Sequence, residues 1–123
     1  MKNTKKNIIQ EKSYSFALRI LRLSKHLIKY EQEYILSKQV LRSGTSIGAN
    51  IEEAIGGTTK KDFKYKLTIA YKEARETHFW LRLLRDGKYI PQILAESMLY
   101  DCDELLKILG TIIKTTKQNI RNS

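Results

Sequence analysis

The chain has 123 residues, of which 41% are hydrophobic and 29% are charged, values that fit one globular domain and exclude a disordered chain. A single cysteine excludes an intramolecular disulfide and a cysteine-rich metal site, and favours a reducing, cytoplasmic location. The formal net charge of +10 favours a polyanionic partner, although solubility alone is an alternative explanation.

Apolar residues at helical spacing predict a first helix over residues 13–33. Phe16, Ile20 and Leu23 begin its apolar stripe, with spacings of four and three. Residues 1–12 are predicted to form a basic tail, whose apolar run is too short for a secretory signal. Since no stretch of the chain approaches the length of a membrane span, we expect no membrane association.

A second helix is predicted over residues 37–56, and its middle is rich in small side chains. Gly44 and Gly48 are four residues apart and therefore lie on one side of the helix. Each glycine costs about 1 kcal/mol of helix stability relative to alanine, so we expect close helix packing at both positions as compensation. Gly56 and Gly57 are expected to end the helix by adopting the left-handed conformation.

The third helix, predicted over residues 60–86, shows the strongest apolar period of the chain, and Thr59 is its predicted N-cap. The fourth is predicted over residues 92–117, after Pro91, and residues 118–123 are expected to be a polar, frayed tail. Four helices with short connections predict an all-α, up-down-up-down antiparallel four-helix bundle.

The third helix carries large apolar side chains outside the stripe that faces the core. A monomeric bundle buries one face of each helix, so a second apolar face needs another explanation. A subunit interface is favoured, because aromatic residues together with arginine are typical of interface cores. Stacking on exposed bases and coverage by neighbouring side chains are the alternatives. The residues concerned are Tyr65, Ile69, Phe79, Trp80 and Leu83.

The positive charge is concentrated in two parts of the chain. Residues 1–30 carry eight basic and one acidic side chain, and residues 60–90 carry nine and four, whereas residues 91–123 carry four of each. Basic side chains from these two segments are the candidate phosphate contacts, which would add affinity but little sequence selectivity. They are Arg19, Arg22, Lys61, Lys64, Lys72, Arg75 and Arg82.

No group of residues in the sequence is typical of a catalytic, metal or cofactor site. His26 and His78 lack a partner at the spacing of a metal pair, and Cys102 occupies an inward position that suits a small core side chain. The glycine-rich stretch of the second helix lacks the lysine and the preceding strand of a phosphate-binding loop. We therefore expect neither enzymatic activity nor a cofactor.

Several stretches resemble a known family. They are Arg42-Ser-Gly-Thr-Ser-Ile-Gly-Ala-Asn50 with its flanks, residues 60–84, and the opening residues 12–19. All three are similar to the 23S ribosomal RNA intervening-sequence protein family, and the resemblance extends from Lys12 to Lys114. It implies a four-helix bundle that assembles into a ring, a homopentamer in known relatives, without an established activity or cofactor. A similar fold is found in the accessory variability determinant of diversity-generating retroelements. That protein is a basic ring that binds nucleic acid and a reverse transcriptase.

Residues and resemblance together favour a non-enzymatic, ring-like homo-oligomeric scaffold that binds RNA or DNA. The alternative is a protein–protein adaptor for a nucleic-acid enzyme such as a reverse transcriptase, in which the apolar side chains of the third helix matter more than the charges. An enzyme with its site at a subunit junction is a third alternative, which no group of residues supports.

Overall fold

The computed structural model describes the backbone of residues 4–123 and the side chains from Ile8 onward. It contains four α-helices: α1 (Thr4–Glu31), α2 (Leu36–Ile55), α3 (Lys60–Asp86) and α4 (Gln92–Arg121). No β-strand occurs between residues 4 and 123, so the all-α prediction is confirmed.

The two outer helix ends differ from the prediction. α1 begins at Thr4 rather than at residue 13, so the described part of the expected basic tail is helical. This first part of α1 is held by Ile9, which is 1% exposed and belongs to the core. α4 continues to Arg121 rather than ending at residue 117, because residues 118–121 include no proline or glycine and Ile120 is half-buried.

Consecutive helices pack against each other in antiparallel pairs, and α1 also meets α4, with fewer contacts than the other three pairs have. Polar contacts show that α1 and α2 are antiparallel. Gln10, near the start of α1, binds Glu52, near the end of α2, whereas Ser24, near the end of α1, binds Ser37, near the start of α2. The short connections at 32–35, 56–59 and 87–91 reverse the chain each time, which produces an up-down-up-down bundle.

One hydrophobic core runs through the bundle and receives side chains from all four helices. Cys102 belongs to it and is fully buried, as its inward position predicted. Burial, reinforced by the neighbouring carboxylates of Asp103 and Asp101, raises the pKa of the Cys102 thiol to about 12. The largest fully buried members of the core include Phe16, Ile20, Leu27, Ile47, Leu67, Leu81, Met98, Leu105 and Leu109.

The two central glycines of α2 differ in how closely α1 approaches them. A Cβ atom at Gly44 would lie 2.7 Å from Cγ1 of Ile20, a distance that real Cβ atoms essentially never show. At Gly48 the nearest atom would be the carbonyl oxygen of Ser13 at 3.5 Å, which is ordinary van der Waals contact. Only Gly44 is therefore required by the packing of α1 on α2.

The connections do not use glycine as the sequence suggested. Gly56 has a φ of −80°, and within residues 4–123 no glycine has a positive φ, so the expected left-handed glycine after α2 was wrong. Left-handed residues instead follow α1 and α3, at Gln32 (φ 51°) and Lys88 (φ 67°). The predicted N-cap is confirmed, because the backbone N–H of Asp62 donates to Oγ1 of Thr59 over 3.0 Å.

Candidate nucleic-acid interface

The outward face of α3 carries part of the predicted second apolar surface. Tyr65 is 64% exposed, Phe79 47% and Leu83 41%. The other two predicted residues, Ile69 and Trp80, are half-buried. The surface available to a partner is therefore smaller than the sequence indicated.

Trp80 is covered within the monomer. Its ring packs against the core and meets the ring of Phe79 edge-on, with 5.1 Å between the ring centroids. Its indole Nε1–H donates to Oε2 of Glu76 over 2.9 Å, so its polar edge is also satisfied. Coverage by neighbouring side chains, one of the three explanations weighed for the second apolar face, applies to Trp80.

Glu76 belongs to a polar network on the side of α3 that faces α2. Arg42 of α2 pairs with both Glu73, over 3.1 Å, and Glu76. The hydrogen bond with Glu76 raises the pKa of Arg42. The bonds from Arg42 and then Trp80 lower the pKa of Glu76.

Lys66, further along the same side, pairs with Glu53 over 2.7 Å. We call this side of α3, defined by Arg42, Glu53, Lys66, Glu73 and Glu76, the α2 flank. Its two cations, Arg42 and Lys66, each have a carboxylate partner, so the positive charge there is compensated.

Two of the seven predicted phosphate contacts lie away from α3. Arg19 donates from Nη1 to Oδ2 of Asp101 over 2.6 Å, across the boundary between α1 and α4. Arg22 is exposed and lies with Arg19 beside a shallow depression of ≈ 290 Å³ at the same boundary. The seven residues therefore do not form one surface on a single chain.

Arg82 is tied into a chain of polar contacts. Its Nε–H donates to Nδ1 of His78 over 3.1 Å, and Nε2 of the same histidine lies 3.1 Å from Oδ1 of Asp103 on α4. The guanidinium carbon also lies 5.8 Å from the centroid of the Phe79 ring. Asp103 thus brings a negative charge close to Arg82, which lowers the net positive charge at this end of α3.

The other end of α3 forms a groove with α4 whose described charged residues are all basic. The groove has a volume of ≈ 470 Å³. Between residues 8 and 123, none of its four cations takes part in an ion pair, and no described acidic side chain lines it. The residues that define this α3–α4 groove are Lys61, Lys64, Tyr65 and Thr68 of α3, with Lys117, Ile120 and Arg121 of α4.

The antiparallel packing of α3 and α4 creates this concentration of charge. It places the first turns of α3 beside the last turns of α4, so that Lys61 and Lys64 share the groove with Lys117 and Arg121. Lys72 and Arg75 continue the basic surface along α3, where both are exposed.

Lys117 and Arg121 were missed because the acidic and basic side chains of residues 91–123 balance to zero. All four acidic residues of that segment lie at 96–104, however, and all four basic residues lie at 107–121. Counting charge by half-helix, and pairing the halves as an antiparallel bundle requires, would have found the groove.

A metal site and a membrane span have no support among the described residues. No group of three or more His, Cys, Asp or Glu side chains that could hold a metal ion is found there. His26 and His78 lie on different helices, and the described helices include none that is long and apolar enough to cross a membrane.

Comparison with known proteins identifies the family. The model of the 23S rRNA-intervening sequence protein family matches residues 5–111. The chain is also similar to a crystal structure of a protein with unknown function from the S23 ribosomal protein family, from Bacteroides thetaiotaomicron VPI-5482. These two chains are 49% identical with a TM-score of 0.89, and the match covers 90% of this chain and 99% of the other. No curated protein matches the chain. The chain therefore belongs to the 23S rRNA-intervening sequence protein family.

Proposed function

We propose that this protein is a non-enzymatic scaffold that binds nucleic acid through phosphate contacts. The observation that carries the proposal is the α3–α4 groove, where four cations with no carboxylate partner between residues 8 and 123 line one depression. The cations on the α2 flank are already paired with carboxylates. Before one of them could bind a phosphate, it would have to lose its ion pair. Those of the groove have no such cost, and a polyanion is the ligand that fits them.

RNA is the first ligand to test, because the family is named for 23S rRNA. Phosphate contacts by Lys61, Lys64, Lys117 and Arg121 would give affinity that does not depend on sequence and weakens steeply with salt. Lys72 and Arg75, exposed on the same helix, would lengthen the path of the strand.

The proposal includes self-association into a ring-like homo-oligomer, with a homopentamer as the first candidate. Exposed Phe79 and Leu83 on α3 support it, since apolar side chains on a helix surface favour burial against another chain. A ring would bring several grooves together and multiply a modest charge per chain. Light-scattering mass on a sizing column tests this part, and a monomeric mass at micromolar concentration would contradict it.

Titration of a fluorescent RNA oligonucleotide at increasing salt tests the binding. We expect the wild-type protein to bind at low salt, with an affinity that falls by about 0.7 in log K per log unit of salt for each single-stranded phosphate contact. The double variant Lys61→Ala/Lys117→Ala removes two contacts and should reduce that slope by about 1.4. Lys66→Ala is the matched control, because that lysine is paired with Glu53.

Undetectable binding of both RNA and DNA by the wild-type protein at low salt would overturn the proposed function. An unchanged slope in the double variant would remove the groove from it.

A second candidate function is an adaptor for a nucleic-acid enzyme such as a reverse transcriptase. A protein contact is favoured at the far end of α3. Phe79 and Leu83 are exposed there, and the guanidinium of Arg82 lies over the ring of Phe79. High salt would leave such a complex intact while weakening phosphate binding. Co-elution with a purified reverse transcriptase at high salt, abolished by Phe79→Ser, would support it.

A further inference from the structure

The groove contains an exposed aromatic ring as well as cations, and this combination narrows the class of ligand. We infer that the α3–α4 groove binds single-stranded nucleic acid, with an unpaired base stacked on the ring of Tyr65, an inference that rests on the proposed function. RNA and DNA share the chemistry concerned, which is a π-face between successive phosphates.

Tyr65 has no structural task that would explain its position. Its side chain is 64% exposed, and among the described residues its ring stacks on no other ring and its hydroxyl makes no hydrogen bond. Trp80 differs on each point, because it packs on the core and donates to Glu76. The ring of Tyr65 is therefore free to receive a ligand.

The surroundings of Tyr65 suit a single strand. Lys61 and Lys64 lie within one helical turn of it on α3, and Lys117 and Arg121 face it from α4. Ile120 adds apolar surface to the same groove. Cations on both helices can bind successive phosphates while the base between them leaves water for the ring, which is the arrangement of single-strand binding proteins.

A duplex would leave part of the groove unused. Its bases are stacked inside the helix, so it presents phosphates to the four cations and nothing to Tyr65 or Ile120. Two copies of this chain related by a two-fold axis are poor occupants of each other's grooves, because two like-charged grooves would then face each other. A single strand uses both the charges and the ring.

The inferred specificity does not follow from membership of the family. The family model matches residues 5–111, whereas Lys117, Ile120 and Arg121 lie beyond them. Nearly half of the residues that line the groove therefore belong to a part of this chain that the family match does not include.

Competition binding with three probes of equal charge tests the inference: a single-stranded oligoadenylate RNA, its duplex with oligouridylate, and linear inorganic polyphosphate. Stacking one base strengthens binding about 5- to 150-fold, so we expect the single strand to bind at least about fivefold more tightly than either other probe. Oligodeoxyadenylate should keep that advantage, because stacking does not use the 2′-hydroxyl.

Substitution of Tyr65 separates stacking from charge. Tyr65→Ala should lose the advantage of the single strand and leave the affinities for duplex and polyphosphate unchanged, whereas Tyr65→Phe should retain it. The matched control is Tyr100→Ala, since Tyr100 is 70% exposed on α4 and does not line the groove. Circular dichroism of each variant checks that the helices are intact.

The outcomes distinguish the two proposals. Equal affinity for single strand, duplex and polyphosphate, or a single-strand advantage that survives in Tyr65→Ala, would overturn the inference and leave the proposed function in place. Binding of none of the three probes at low salt would overturn the proposed function, and the inference with it.

Discussion

Each side of α3 carries lysine and an aromatic side chain, but the two sides differ in the charges that surround them. On the α2 flank, Arg42 is paired with Glu73 and Glu76, and the single tryptophan is hydrogen-bonded to the same cluster. In the α3–α4 groove, Lys61 and Lys117 have no carboxylate within ion-pair distance among the described residues, and the aromatic ring is exposed.

The difference teaches that the partner across a helix boundary decides whether a cation is available to a ligand. α2 contributes Glu53 opposite Lys66. The charged residues that the last turns of α4 contribute to the groove, Lys117 and Arg121, are both cations. A count of basic residues along α3 does not distinguish the two sides. The cations of the α2 flank form ion pairs that stabilise the fold, whereas those of the groove have no carboxylate partner among the described residues.

Introducing an acid into the groove should make it resemble the α2 flank. In the variant Thr68→Glu, a carboxylate would stand among four cations and compete with phosphate. Loss of one to two charge-assisted contacts at about 1.5–3 kcal/mol each predicts RNA binding at least about tenfold weaker at low salt, measured by fluorescence anisotropy.

A closely matched control exists for this variant. Thr111 also lies four residues after a lysine and donates to that lysine's carbonyl oxygen, as Thr68 does, but it does not line the groove. Thr111→Glu changes the net charge equally and should reduce binding only slightly. Equal losses in the two variants would show that net charge, and not the groove, governs binding.

Disturbing the packing of α2 should affect the α2 flank more than the groove, because Arg42 and Glu53 of α2 form the ion pairs of that flank. Gly44→Ala places a Cβ 2.7 Å from Ile20 and forces α1 and α2 apart, which we expect to lower the free energy of unfolding by roughly 1–2 kcal/mol. Gly48→Ala is the control, since its Cβ lies at 3.5 Å from Ser13 and alanine favours the helix by about 1 kcal/mol.

Urea unfolding followed by circular dichroism measures both glycine variants. Gly44→Ala should be less stable than the wild type and Gly48→Ala at least as stable. If Gly44→Ala matched Gly48→Ala, Ile20 would have to move without cost, contrary to its complete burial.

Removing Arg42, one of the two cations of the α2 flank, should have the smallest effect, and on stability only. The side chain of Arg42 is 50% exposed, so its ion pairs are partly screened and Arg42→Ala should cost less than about 1 kcal/mol. RNA binding should be unchanged, because Arg42 does not line the groove. Arg22→Ala, which removes an exposed arginine without a described ion pair, is the control for loss of charge.

The stability difference for Arg42→Ala should depend on pH. Arg42 and Trp80 hold the pKa of Glu76 below its usual value of 4.5, so the unfolded state binds a proton more readily than the folded state. The stability that the pair of Arg42 and Glu76 contributes is therefore fully present above pH 4.5. It is lost as the pH falls through the lowered pKa of Glu76 in the folded state. Urea unfolding at pH 7 and at about pH 2 measures it, and an undiminished difference at about pH 2 would contradict the assignment.

Much of the fold could be predicted from the sequence because it depends on local patterns. The apolar period placed α3 at residues 60–86, as observed, and Thr59 was identified as its N-cap. The start of α1 was missed, because residues 4–12, about two and a half turns, contain only two apolar residues, Ile8 and Ile9, and these are too few to show a period. The left-handed residues were also missed, since Gln32 and Lys88 are not typical of that conformation.

The candidate site was predictable only in part. Lys61 and Lys64 were identified from the charge of residues 60–90, and Tyr65 from its position outside the core stripe. Lys117 and Arg121 were not, because their segment has no net charge. Arg19 was included although its guanidinium is paired with Asp101, a contact between helices far apart in the chain.

Sequence alone determined the number of helices, their apolar faces and the excess of positive charge, because each depends on composition or on residues within a few positions of one another. Tertiary structure decided which cations are neutralised, which aromatic ring is covered and where a ligand could bind. Each of these depends on the neighbour that antiparallel packing supplies: Arg42 of α2 beside Glu73 and Glu76 of α3, and the basic end of α4 beside Lys61 and Tyr65.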